Sequence, residues 1–157
     1  MTTLQTSKKL IGWREWITLP ELGIQHIKVK VDTGARTSAL HAFYVEAYEK
    51  DGADWVKFSM HPLQGNTDFV VDCHAPVKDR RIVSDSGGHR EERFVIDTVM
   101  QLGDYQWNAE VTLTDRDSMK FRMLLGRTAI EDHFIIDPSL SYAIGKKPRT
   151  KHSKDSL

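Results

Sequence analysis

Cysteine is almost absent from this chain. Cys73 is the one thiol among 157 residues, which excludes an intrachain disulfide and a cysteine-based zinc cluster. No apolar run reaches the length of a membrane-spanning helix. The first nine residues are polar and lack the apolar core of a secretory signal, so a cytoplasmic chain without a membrane partner is expected. Neither sign of charge is in excess, since 22 Lys and Arg balance 22 Asp and Glu, and no nucleic-acid partner is expected. The metalloprotease pattern H-E-x-x-H is missing, and none of the histidines at 26, 41, 61, 74, 89, 133 and 152 forms an i, i+4 pair. The phosphate-binding pattern G-x-x-x-x-G-K-[ST] is missing too. No metal and no cofactor are therefore expected. A zinc site assembled in space, for instance from His41, His74 and His133, is less expected than three surface or hydrogen-bonded histidines.

What is present is the composition of a soluble domain with a real core: 39% hydrophobic and 28% charged residues. The patterning is that of short strands and tight turns. Ile11 to Leu19 reads as a strand and Pro20 to Gly23 as a turn. From Ile24, the residues Ile27, Val29 and Val31 alternate with His26, Lys28 and Lys30. Phe43 to Glu49 and Trp55 to Met60 flank Asp51-Gly52, a hairpin signal. Further strands are predicted over Phe69 to Cys73, Val77 to Val83, Arg90 to Met100, Trp107 to Leu113, Phe121 to Leu125, Phe134 to Asp137 and Ser141 to Ile144. One short helix is predicted over Thr128 to His133. The expected organisation is a flexible N-terminus at 1–10, one all-β barrel-like or sandwich domain at 11–145, and a disordered basic tail at 146–157.

Two stretches carry chemistry. Val29-Lys30-Val31-Asp32-Thr33-Gly34-Ala35 is an apolar strand delivering a carboxylate, a hydroxyl and a glycine at its end. Met123-Leu124-Leu125-Gly126-Arg127 is an apolar run ending in Gly-Arg, followed by the helix-compatible segment. Asp-Thr-Gly alone is also an ordinary turn sequence. Together, "VDTGARTSALHA" and "MLLGRTAIEDHF" resemble the two halves of a retropepsin-type aspartic protease subunit. They resemble in particular a bacterial branch that carries the label "ATP-dependent zinc protease" and is found linked to RimK-type glutamate ligases. The resemblance spans roughly Ile11 to Gly145.

The resemblance implies an all-β, retropepsin-like closed barrel with one short helix, acting as one subunit of a symmetric homodimer. It implies an aspartic endopeptidase acting on a peptide or protein substrate. Asp32, Thr33 and Gly34 are the implied catalytic loop: Thr33 bonds across the two-fold axis, Gly34 lets backbone approach the substrate, and Ala35 keeps the loop small. Leu125 and Gly126 support the loop from behind. One Asp-Thr-Gly per chain supplies one carboxylate, so the shared-proton pair needs a second copy. The glycine-rich tip Ser84 to His89, with Ser86, Gly87 and Gly88, is the candidate flap over the substrate.

One position departs from the pattern. Where the family places an acidic residue that pairs with the Arg of Gly-Arg, this chain has Arg36. Either Arg127 finds another carboxylate, such as Glu131 or Asp132, or Arg36 and Arg127 both face the cleft and favour acidic substrates, a free C-terminus or a run of glutamates. Internal ion pairs are the plainer reading of both arginines. A non-catalytic module of the same fold, binding a peptide or C-terminal tail as partner of a glutamate-ligase-type enzyme, is the alternative function.

Overall fold

A computed structural model describes residues 8–63, 65–84, 87–115 and 120–144. The elements, in chain order, are β1 (Lys9–Ile11), β2 (Arg14–Leu19), β3 (Ile24–Val31), β4 (Ser38–His41), β5 (Tyr44–Lys50), β6 (Ala53–Met60), β7 (Val71–Pro76), β8 (Asp79–Ser84), β9 (Arg90–Leu102), β10 (Tyr105–Thr114), β11 (Met123–Leu125), α1 (Arg127–Ile130) and β12 (Phe134–Ile136). Strands alternate in burial as a half-buried sheet requires: in β3, Ile24, Ile27 and Val29 are buried while Gln25 and Lys30 are exposed.

The strand order β10-β4-β11-β3-β2-β9 closes on itself because β9 also pairs with β10. The result is a six-stranded barrel, with β8 added outside on β9. Closure leaves no open edge within the ring. Its interior holds Ile17, Ile27, Val29, Leu40, Ile96 and Met123, all essentially inaccessible to water. Each such side chain contributes about 1.5–3 kcal/mol of apolar burial. A three-stranded sheet, β5-β6-β7, stands beside the barrel and adds Val56, Phe58 and Met60 to the same core. The β5–β6 turn is the hairpin predicted from Asp51-Gly52, with both residues at positive φ, 52° and 81°.

Two sequence expectations change. The strand predicted from Ile11 to Leu19 is broken after Ile11, because the chain passes Leu140 so closely there that a Cβ on Gly12 would lie 2.3 Å from the Leu140 carbonyl oxygen. Lys9 and Leu10, left by the sequence in the polar N-terminal stretch, pair in parallel with Phe134 and Ile135 of β12. The segment 141–144 is not a strand. Its N–H groups are taken individually: Tyr142 donates to the Arg14 carbonyl, and Ala143 and Ile144 donate to the carboxylate of Glu15 at 2.8 and 3.2 Å. Glu15 is fully buried and also accepts from the Gly12 N–H at 2.7 Å. A buried carboxylate satisfied by backbone donors thus straps the C-terminal segment onto β2. The helix is shorter than predicted, ending at Ile130 as Glu131 turns extended and Asp132 takes φ 79°.

Candidate active site

Strand β11 lies between β3 and β4, parallel to the first and antiparallel to the second. Since β3 and β4 are consecutive in the chain, the connection at 32–37 must cross the end of β11. That crossing brings Asp-Thr-Gly-Ala against Gly-Arg, two stretches separated by about ninety residues of sequence.

The crossing is held by backbone bonds at each step. The Asp32 N–H donates to the Leu125 carbonyl at 2.9 Å, the Arg127 N–H to the Ala35 carbonyl at 2.8 Å, and the Thr128 N–H to the Arg36 carbonyl at 2.9 Å. The Gly126 N–H donates to Ser38 Oγ at 2.9 Å. Gly126 has no room for a side chain: a Cβ would lie 2.4 Å from the Thr37 carbonyl carbon and 2.7 Å from the Ser38 nitrogen. Leu125 is fully buried beneath the loop.

On the outer side of this crossing, Asp32 is half-buried, and Thr33 and Gly34 are exposed. The Gly34 N–H donates to Asp32 Oδ1 at 3.1 Å, which fixes one carboxylate oxygen; a carboxylate has further lone pairs to offer a proton or water. Ala35 closes the turn, its N–H bonded to the Asp32 carbonyl at 3.2 Å. Arg127 is exposed and donates from Nη1 to the Thr33 carbonyl at 3.1 Å, so it braces the loop. It does not pair with Glu131 or Asp132, and Arg36, also exposed, takes no carboxylate either among the described residues.

Ser38 went unnoticed in the sequence. It is buried at the start of β4 and joins the loop to the rest of the barrel. Its carbonyl accepts from Thr112 Oγ1 at 3.2 Å. Thr112 in turn lies 3.4 Å from Arg93 Nη1, at the base of the β8–β9 hairpin. Nothing in the local sequence sets Ser38 apart from other serines.

The hairpin of the candidate flap is formed by β8 and β9 in register from Asp79↔Val95 to Ser84↔Arg90. Gly87 and Gly88 are exposed at its tip, Gly88 at φ 86°. Ser86 lies outside the described residues. Charged residues of this hairpin are engaged in ion pairs. Arg81 holds Glu110 with both nitrogens at 2.8 and 3.1 Å, and Lys78 reaches Glu110 at 2.8 Å. These partners pull the Glu110 carboxyl down to about 2, the Arg81 bond first. An open cleft of about 460 Å³ beside them is lined by Lys78, Asp97, Asn108, Ala109, Glu110 and Thr128.

The histidines weighed as zinc ligands go to separate partners: His41 to Arg122, His74 to Tyr48 and His133 to Tyr105. Among the described residues no group of three or more His, Cys, Asp or Glu is arranged to hold a metal. This donor set does not fit zinc. Nor is any described helix long and apolar enough to cross a membrane.

Comparison with known proteins agrees with this geometry. The family model of the RimB-like proteins, described as retropepsin-like aspartic endopeptidase RimB, matches residues 10–147. The chain belongs to the RimB-like, retropepsin-like family. Curated relatives include a probable alpha-L-glutamate ligase of Desulfotalea psychrophila, 48% identical over 96% of this chain and 32% of that protein. Another, of the same description, is from Shewanella pealeana, 44% identical over 92% of this chain and 31% of that protein. This RimB-like chain spans about a third of the length of those relatives. A solved structure similar to it, of the Legionella pneumophila protein Lpg0085 of unknown function, has a TM-score of 0.73 at 26% identity, covering 87% of this chain and 98% of that one. The retropepsin-like barrel expected from the two motifs is thus the fold of this RimB-like chain.

Proposed function

We propose that the chain is one subunit of a homodimeric aspartic endopeptidase, with Asp32 meeting Asp32 of a second copy on a two-fold axis. The observation that carries this reading is the Asp32 loop itself: a half-exposed carboxylate, one oxygen fixed by the Gly34 N–H, on a crossing braced from behind by Gly126 and Arg127. Two such carboxylates in contact cannot both ionise, so they share a proton. The ionised partner takes a proton from a water as it attacks the scissile carbonyl, and the protonated partner donates to the carbonyl oxygen. Collapse of the tetrahedral intermediate, with a proton passed to the leaving nitrogen, releases both products. In this reading Thr33 and Gly34, both exposed, meet the second copy and the substrate backbone. The β8–β9 tip, with Gly87 and Gly88, acts as the flap.

Arg36 supports a preference for acidic substrates. It stands four residues from Asp32, exposed and without a carboxylate partner among the described residues, so it remains available to a substrate carboxylate. Arg127 is committed in part to Thr33 and acts chiefly in positioning.

A second reading is favoured by the relatives, in which a matching region forms about a third of proteins described as probable glutamate ligases. In it the chain works beside a glutamate ligase and binds the same acidic tails. The test for the first reading is sedimentation with activity measured across the same concentrations. Specific activity that falls as the dimer dissociates supports the dyad. Full activity from a monomer contradicts it.

A further inference from the structure

We propose that Glu91 and Arg93 are positioning residues that seat the β8–β9 hairpin on β10 and set its inclination over the Asp32 loop. This deepens the peptidase reading above, in which the hairpin is the flap, and rests on it. The backbone ladder between β9 and β10 ends at Val95↔Thr112. From Phe94 back to Arg90, β9 runs on paired with β8, so the β10 ladder holds only the foot of the hairpin. Side chains take over where the ladder stops. On β10, Glu110, Thr112 and Thr114 alternate with Val111 and Leu113 and so share one face. Val111 and Leu113 belong to the core, yet Thr112 and Thr114 on the other face are also buried, each 2% exposed. The hairpin meets this row position by position. Arg81 takes Glu110, Arg93 Nη1 lies 3.4 Å from Thr112 Oγ1, and Thr114 Oγ1 donates to the Glu91 carboxylate at 3.1 and 3.3 Å.

Glu91 and Arg93 stand two apart on β9, on one face, and Arg93 Nε donates to Glu91 Oε1 at 2.8 Å. Their side chains are 27% and 12% exposed. A guanidinium so far from water needs its carboxylate, and the two act against β10 as a unit. Arg93 also lies directly opposite Arg81 in the β8–β9 ladder. Like charges so placed repel, and Glu91 offsets that repulsion. The contacts continue to the loop. Thr112 Oγ1 donates to the Ser38 carbonyl at 3.2 Å, and Ser38 Oγ accepts from the Gly126 N–H behind Asp32. The tilt of the hairpin and the position of the loop thus share one run of polar contacts.

The test measures kcat and KM for a peptide that the wild type cuts, with hydrogen exchange of the hairpin amides on the same proteins. Glu91→Gln and Arg93→Gln are each expected to raise KM about tenfold and to leave kcat within about threefold. An enzyme that is only destabilised loses active fraction, which lowers the apparent kcat and leaves KM unchanged. The double variant is expected to cost no more than either single one, and Arg93→Lys to recover part of the loss. Glu92→Gln removes the same charge one residue away, exposed on the opposite face, and is expected to stay within about twofold of wild type. If Arg93→Gln melts early, Glu91→Gln carries the test, since its amide still accepts from Thr114. Unchanged KM in Glu91→Gln overturns the proposal, as does an additive double variant or an equal rise in Glu92→Gln. Exchange at residues 90–94 is expected to quicken about tenfold in Glu91→Gln. A wild type that cuts no peptide while that exchange still quickens fails the peptidase reading alone, and exchange equal to wild type fails the seat whatever is cut.

Discussion

Arg127 Nη1 donates to the Thr33 carbonyl oxygen across 3.1 Å, while the Arg127 N–H donates to the carbonyl of Ala35. One residue thus grips the Asp-Thr-Gly-Ala loop on both sides of its turn. The side-chain bond is exposed and worth about 1 kcal/mol. Arg127→Ala is expected to lower unfolding stability by about that amount, read from denaturant melts, and to cut kcat more than it raises KM. Arg127→Lys, which cannot reproduce the planar fork, is expected to recover only part of the loss. An Arg127→Ala enzyme with unchanged kcat would remove the bracing role.

The two glycines of the site are expected to respond differently to alanine. Gly126→Ala drives a Cβ to 2.4 Å from the Thr37 carbonyl carbon, where only backbone can give way. A loss of about 3 kcal/mol or more is expected, seen as a lower Tm. At Gly34 a Cβ meets only Asp32 Oδ1, at 3.3 Å. Gly34→Ala is expected to fold with nearly the wild-type Tm and to lose activity through the displaced carboxylate. Equal Tm losses in the two variants would contradict this account of the loop.

Cys73 is expected to resist alkylation. It is buried, its Sγ lies 3.4 Å from the Leu22 carbonyl oxygen, and burial, helped by Asp72, pushes the thiol up to about 12. The nucleophile is the thiolate, so iodoacetamide at pH 8 is expected to label the native chain at least a hundredfold more slowly than the urea-unfolded chain. Rapid native labelling would show that this face of β7 opens.

Glu110 makes stability depend on acid. Arg81 and Lys78 hold its folded-state carboxyl at about 2, below the ordinary 4.5. A depressed carboxyl stabilises fully above the unfolded value and loses that contribution as pH falls from about 4.5 through about 2. Glu110→Gln is expected to lower Tm at pH 7 and to flatten its decline across that window. An unchanged slope of Tm against pH would place the acid sensitivity elsewhere.

The barrel was legible because its strands alternate cleanly. Ile27, Val29 and Val31, picked out by the alternation of β3, lie in or against the core, and Asp51-Gly52 supplied a turn with one favoured geometry. The family followed from two motifs that topology, and not sequence proximity, brings together at the end of β11. Contacts decided by distant backbone were not legible. Gly12 breaks a strand because Leu140 passes it, and the segment 141–144 gives its N–H groups to Glu15 and the Arg14 carbonyl, so no ladder forms. The pairing of Arg81 with Glu110 was not legible because the two residues lie on strands separated by β9. Phe43 lies 46% exposed although Val45, two residues on, packs against the core.

The most direct test is cleavage of a mixed peptide library, rich in acidic sequences, between mildly acid and neutral pH. Wild type, Asp32→Asn and a chelator-treated sample are compared. The account predicts cleavage by wild type, unaffected by chelator, and a loss of at least a thousandfold in Asp32→Asn. Cleavage that survives in Asp32→Asn, or that chelator abolishes, would contradict it.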